Sequence, residues 1–305
     1  MTTRRDFLKT MSLASAGMTL GSTGWLNAMK PSMVSNQKKA KGGKVKIAFI
    51  GIGNRGAQVI EAFEKTQMIE VVALCDVDLD GKQCQESLAK YPKAKRFRDF
   101  RKLFDEAGNE FDAVAIATPD HSHFPISMLA LAEGKHVFVE KPLARTFYEA
   151  EVLMNAAKKR PNQVTQVGNQ GHSEANYFQF KAWVDAGIIK DVTAITAHMN
   201  NARRWHGWDS NIYKYPEGQQ LPKDMDWDTW LGVSSYHDYH QDYHQGQWRC
   251  WYDFGMGALG QNNTNEFFHE LLLTRLRAHI NYLYIFYTKM EDMSRCFWSI
   301  KVNNR

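Results

Sequence analysis

The stretch that most constrains this chain is a six-residue apolar run that empties into a glycine-rich turn. Val45-Lys46-Ile47-Ala48-Phe49-Ile50 is short and rich in β-forming residues, and it leads directly into Gly51-Ile52-Gly53-Asn54-Arg55-Gly56. Val59, Ile60 and Phe63 then share one face of a helix. Strand, G-x-G-x-x-G turn and helix, in that order, form the setting in which the motif binds a dinucleotide. Gly51 permits the tight turn, Gly53 lets the backbone approach a pyrophosphate, and Gly56 lets helix and strand pack closely. The free N–H groups and positive end of that helix would hold the phosphates, with Asn54 and Arg55 in the same cradle.

A second buried-strand pattern, Ile69 to Cys75, ends at Asp76. A carboxylate there accepts hydrogen bonds from the adenosine ribose hydroxyls. The competing role is a cap for a helix beginning near Asp78. Val77, Asp78 and Leu79 bring no cation, so a 2′-phosphate would meet two negative charges and NAD is preferred to NADP. Asp112–Ala117, His136–Val139 and Gln163–Val167 continue the strand pattern. Between them lie helical faces carrying Ile126, Leu129 and Ala130, then Leu153, Ala156 and Ala157. Strands alternating with helices predict an α/β fold with a parallel, doubly wound sheet and ligands at the strand carboxyl ends. The expected order is a Rossmann domain over 45–167 followed by an incomplete α+β second domain over 168–260.

Charge narrows the range of partners. The chain of 305 residues holds 38 Lys and Arg against 33 Asp and Glu. Residues 1–44 hold eight of the basic residues and one acid, so the remaining 30 and 32 nearly cancel. A body of that balance offers no electrostatic footprint for nucleic acid. Cys75, Cys84, Cys250 and Cys296 show no C-x-x-C spacing, which argues against a thiolate zinc site or a dense disulfide framework.

The basic excess sits in what reads as an address. Thr3-Arg4-Arg5-Asp6-Phe7-Leu8-Lys9 is followed by an uncharged, weakly apolar stretch from Thr10 to Met29. This predicts a twin-arginine export signal over 1–30 and a solvated linker over 31–44. An uncleaved signal-anchor is the alternative. The expected location is periplasmic or otherwise exported, with the twin-arginine (Tat) export machinery as a partner.

Two strand ends carry chemistry: Ala117-Thr118-Pro119-Asp120-His121-Ser122-His123 and Glu140-Lys141-Pro142-Leu143. Together with the glycine turn and Gly168-Asn169-Gln170-Gly171-His172, they resemble the Gfo/Idh/MocA oxidoreductases over about Val45 to Gly260. The segments Met225–Gly232 and Trp251–Gly260 are similar to the exported, sugar-acting branch of that family. The resemblance implies that Lys141 lies beside the nicotinamide and hydrogen-bonds the reacting hydroxyl. An ammonium there stabilises developing alkoxide charge. Thr118 and Pro119 would line the nicotinamide ribose, and Glu140 would fix the lysine or the ribose. Asn169 and Gln170 would open the substrate cleft. His123, with His121 beside it, is a candidate acid–base group; helix capping by Ser122 accounts for part of the same loop. The implied activity is hydride transfer between NAD(P) and a secondary hydroxyl of a sugar, glycoside or cyclitol. A redox-assisted glycosidase of the same fold would use the same residues.

Two other clusters carry less. His237, His240 and His244 with Asp238 and Asp242 could ligate a metal, but their repeat is aromatic and loop-like, and the implied chemistry needs no metal. Trp205, Trp208, Trp227, Trp230, Trp248 and Trp251 read mainly as core, with one or two able to stack on a sugar.

The chain also departs from the pattern. The family's Asp and, four residues later, its acid–base His align with Gln261 and Asn265, neither of which exchanges a proton near neutrality. All 21 glycines precede position 261. Residues 261–305 read as helix or as an atypical tail, as though the chain were truncated or frame-shifted after Gly260. An incomplete sheet with an open edge predicts instability or a homo-oligomer formed through the second-domain sheet. A catalytically impaired nucleotide-binding remnant is therefore a further functional expectation.

Overall fold

The computed structural model describes residues 43–170, 175–190, 194–199, 214–244, 247–256 and 296–301. The chain divides into two compact units. The first takes Met1–Gly168 and Glu217–Gln241, and the second takes Asn169–Pro216 and Asp242–Arg305.

The first unit is built on six parallel strands: β1 (Val45–Ile50), β2 (Ile69–Cys75), β3 (Lys95–Phe97), β4 (Ala113–Ile116), β5 (His136–Glu140) and β6 (Thr165–Gly168). Their spatial order is β3-β2-β1-β4-β5-β6, with every pairing parallel. This is the Rossmann order, which reverses direction between β1 and β4 and opens a ligand crevice there. Burial explains why these runs are strands. Ile47 and Phe49 point to one face, packing with Val59 and Ile60 of α1 (Arg55–Glu64) and Cys84 and Leu88 of α2 (Lys82–Lys90). Ala48 and Ile50 point to the other face. There they meet α3 (Phe100–Ala107), α4 (Asp120–Ala132) and α5 (Phe147–Lys158). A strand buried on both faces reads as a continuous apolar run, which is how β4 and the buried carboxyl-terminal parts of β1 and β2 appear in the sequence.

Three features differ from the expectations. β3 and α3 lie between α2 and β4, where the sequence reading placed no element. The helix expected near Asp78 begins at Lys82, because a turn closed by the Gly81 N–H on the Asp78 carbonyl comes first. Glu217–Gln241, expected in the second domain, belongs to the first unit. Its short helix α7 (Trp227–Leu231, with α6 being Ala175–Asp185 of the second unit) is capped by Asp226, which accepts the Thr229 N–H at 3.0 Å. Trp227 and Trp230 stack with ring centroids 4.5 Å apart and are buried. Several contacts bind this strap to the sheet's carboxyl end, Arg98 donating to the Asp224 carbonyl among them. His121 Nε2 lies 2.7 Å from the Trp230 carbonyl, Arg101 donates to Thr229 Oγ1 at 3.2 Å, and the Asp226 N–H donates to the Val77 carbonyl at 3.2 Å. Burial works against the Arg101 charge, but the bond and charge of Asp99 outweigh it and raise its pKa.

In the second unit, α6 is followed by β7 (Ala194–Met199), which pairs antiparallel with β8 (Cys296–Lys301). β8 lies in the stretch expected to be helical or atypical, so that stretch contributes a strand. Tyr243 and Phe254 are fully buried in this unit and pack edge to face at 5.1 Å. Trp248 is buried too, matching the core role expected of most of the tryptophans. Trp205, Trp208, His172, Gln261, Asn265 and the export signal lie outside the described residues.

Candidate active site

The site is assembled at the carboxyl ends of β1, β2, β4 and β5. After β1 the chain turns at Gly51, whose φ of +81° suits glycine, and a Cβ there would lie 2.7 Å from the Ala117 carbonyl oxygen. A Cβ on Gly56 would lie 1.9 Å from the Gly51 carbonyl oxygen, so only glycine lets α1 start this close to β1. Asn54 precedes the helix with φ 44° and gives it no side-chain cap, and the first turn carries no acid. No side chain caps the positive end of this ten-residue helix, and such an end suits an anion. Gly53 was expected to leave room for a pyrophosphate. What lies nearest its missing Cβ is the Gln83 side chain, with Cγ at 2.6 Å, and Gln83 in turn donates to Asp78 Oδ2 at 2.7 Å.

Asp76 is held by the backbone on both sides and caps no helix, since α2 begins at Lys82 with Gly81 at the cap position. Its Oδ2 accepts the Ile52 N–H at 2.9 Å, and its Oδ1 accepts the Asp78 N–H at 3.1 Å. Each bond uses one lone pair, and a carboxylate offers about four sites, so capacity for ribose hydroxyls remains. Beneath it, burial above all, then the Asp76 and Asp78 charges, push the Cys84 thiol far up. Burial does the same to Cys75, which leaves no reactive thiolate at this strand end.

The β4 end contributes Thr118 and Pro119. Thr118 Oγ1 is buried and has no hydrogen-bond partner among the described residues. Next to it, α4 opens with Asp120, His121, Ser122 and His123, all buried, and with Pro119 rather than Ser122 at the cap position. His123 was expected to be catalytic, and the structure speaks against that role. Its Nδ1 lies 2.7 Å from the Pro142 carbonyl and its Nε2 lies 2.9 Å from the Thr118 carbonyl. Both ring nitrogens are occupied by backbone acceptors, so neither faces a substrate proton; the ring ties two loops together. His121 is likewise committed to the Trp230 carbonyl and ring.

The β5 end carries Glu140 and the half-buried Lys141, joined to the buried Pro142 by a cis peptide bond. Glu140 was expected to fix the lysine or the ribose, and Arg55 to hold phosphate. Instead the two side chains meet. Arg55 Nε and Nη2 both donate to Glu140 Oε1, at 3.0 and 2.7 Å, and Arg55 Nη1 donates to Gln58. After Pro142, Thr146 and Glu149 form a reciprocal capping box that starts α5. Asn169 and Gln170 follow β6 directly as the first residues of the second unit.

These features fit a dinucleotide: an uncapped helix N-terminus after a strand, Gly51 and Gly56 that admit no Cβ, a carboxylate with spare acceptors, and an orphaned buried hydroxyl. Gln83 and the Arg55–Glu140 pair escaped the sequence reading. A Gln two residues into the helix that follows the ribose carboxylate was the available signal for the first. Nothing local signals the second.

Comparison with known proteins agrees with this geometry. The family model described as "Oxidoreductase family, NAD-binding Rossmann fold" (GFO_IDH_MocA) matches residues 45–168. A glycosyl hydrolase family 109 protein of Solibacter usitatus is 32% identical over 212 residues, covering 67% of this chain and 47% of that protein. An inositol 2-dehydrogenase of Salmonella typhimurium is 28% identical over 191 residues, covering 61% and 54%. The chain thus spans about half the length of the curated relatives it matches. An oxidoreductase domain protein from Kribbella flavida shares the fold, with a TM-score of 0.54 at 22% identity, over 76% of this chain and 54% of that one.

Proposed function

The chain belongs to the Gfo/Idh/MocA oxidoreductases, and from that premise we propose that it oxidises a secondary hydroxyl of a sugar, glycoside or cyclitol with NAD. The observation that carries this reading is the convergence of the glycine turn and Lys141 at one end of the parallel sheet, the two strand ends joined through Arg55 and Glu140. Gly51, Gly56, the α1 N-terminus, Asp76 and Thr118 would hold the dinucleotide, and when bound its nicotinamide supplies the hydride acceptor. Asp76 and Asp78 favour NAD over NADP, since a 2′-phosphate would face two carboxylates. Lys141 presents an ammonium to the substrate hydroxyl and steadies the oxygen as its proton leaves. Both His123 nitrogens lie against backbone carbonyls, and Gln261 and Asn265 are poor acceptors, so the proton passes to solvent water and turnover is expected to be slow. The Arg4-Arg5 opening supports export through the twin-arginine route as part of the same proposal.

A second reading is favoured by the family 109 glycosyl hydrolase relative: transient oxidation of the ring followed by loss of the aglycone. One experiment separates the two. The purified chain is assayed for released nucleotide, then incubated with NAD and a panel of cyclitols, sugars and aryl glycosides. Net NADH with a keto product supports the dehydrogenase, and aglycone without net NADH supports the glycosidase. Absence of nucleotide from the purified protein and on titration with NADH would sink both.

A further inference from the structure

We infer that Arg55 is a positioning residue, locking the nucleotide turn to the strand end that presents Lys141, and is not a phosphate ligand. Arg55 lies in the turn where a cation would be taken for a phosphate binder. Its Nε and Nη2 nevertheless converge on a single oxygen of Glu140, at 3.0 and 2.7 Å, with the arginine side chain 32% and the glutamate side chain 5% exposed. An arginine fork that binds through two N–H groups fixes direction as well as distance. The carboxylate is buried deeply enough that its charge needs a partner, and Arg55 provides one.

A second, independent observation comes from the neighbouring strand. Gly168 pairs with Glu140 across β5 and β6, and a Cβ there would lie 2.8 Å from Glu140 Oε1. The side-chain-free position gives the carboxylate the space from which it reaches Arg55. Lys141 is therefore bracketed. Glu140 before it is held from the glycine turn, and Pro142 after it is held through its carbonyl by His123. Movement of the turn is transmitted to the lysine's backbone through a charged lever, which couples occupancy of the nucleotide site to placement of the lysine. The catalytic consequence rests on the function proposed above; the lever itself does not.

The test uses the full chain, with hydrogen exchange read by mass spectrometry without cofactor, and NADH binding read by fluorescence. Arg55→Gln is expected to speed exchange over residues 140–146 at least tenfold while leaving β4 and α2 unchanged. NADH affinity is expected to stay within about threefold. Glu140→Gln, which keeps the shape and removes the buried charge, should reproduce the exchange change and guards against misfolding of the first variant. The double variant should be no worse than either single one. With a turning-over substrate, kcat should fall while KM for NAD holds. Unchanged exchange over 140–146 would overturn the inference, as would a tenfold or greater loss of NADH affinity in Arg55→Gln. A chain that shows the exchange change without turnover would uphold the lever and count against the catalytic reading alone.

Discussion

The two halves of the candidate site are finished in opposite ways. On the nucleotide side, hydrogen-bonding capacity is left over: α1 begins without a side-chain cap, Asp76 keeps free lone pairs, and Thr118 Oγ1 is buried with no partner among the described residues. On the lysine side nearly every polar group nearby is committed. Glu140 is held by Arg55, the Pro142 carbonyl by His123, and the Thr146 and Glu149 side chains by each other's backbone. Leftover capacity in a buried place marks where a ligand completes the structure, because unsatisfied polar groups are costly. Complete satisfaction marks a mount, where one side chain must be presented in one place. A histidine on such a mount is structural however chemical it looks in the sequence.

The contrast can be broken from either side. The largest expected effect is at Lys141. Lys141→Met removes the ammonium at this strand end, and turnover should fall by roughly 10²–10³, the usual cost of losing one preorganised donor. NADH affinity measured by fluorescence titration should move less than threefold; a large loss of affinity would place Lys141 on the wrong side of the comparison. Next comes Gly56→Ala. Its Cβ would lie 1.9 Å from the Gly51 carbonyl oxygen, so helix and turn must part. Urea denaturation should show a loss of about 3 kcal/mol, at the upper end for overpacking, with nucleotide binding lost as well. A near-neutral change would mean the turn adapts and is not the rigid cradle described. The smallest effect is expected at Thr118. Thr118→Val deletes a hydroxyl that has no partner among the described residues, so stability without nucleotide should be unchanged or slightly higher. NADH affinity should weaken by about 1 kcal/mol, one ordinary hydrogen bond. If thermal unfolding of the ligand-free protein drops instead, the hydroxyl has a structural partner.

Much of the nucleotide side was legible because its signals are local. Val45–Ile50 and Ile69–Cys75 are strands over the ranges read from the sequence, since their buried carboxyl-terminal halves carry no polar residue and Lys46 and Glu70 sit at the exposed starts. Thr118 and Asp76 follow directly from their places at strand ends. α3 was missed although Asp99 caps it and Phe100, Leu103, Phe104 and Ala107 recur at helical spacing, a pattern sufficient to find it. β3 gave less to find: three residues, with Lys95 and Arg96 exposed. The lysine side was less legible for a physical reason. Arg55 and Glu140 are 85 positions apart, and the acceptors that occupy both His123 nitrogens are backbone carbonyls, which no side-chain pattern reveals. Residue type identified chemistry-grade side chains there, but only geometry distinguished the tool from its clamp.

The strap Glu217–Gln241 has a bearing on how the chain is born. His121, Arg101 and Val77 complete their contacts only with residues made more than a hundred positions later. During synthesis from the N-terminus, the six-stranded sheet is available once Gly168 has emerged, yet the contact of His121 with Trp230 must wait until Trp230 arrives. At a few to twenty residues per second, that interval lasts several seconds. The nascent sheet spends it with its carboxyl end uncovered, so the last step in closing the nucleotide domain is timed by the ribosome's passage through a stretch that codes for none of its strands.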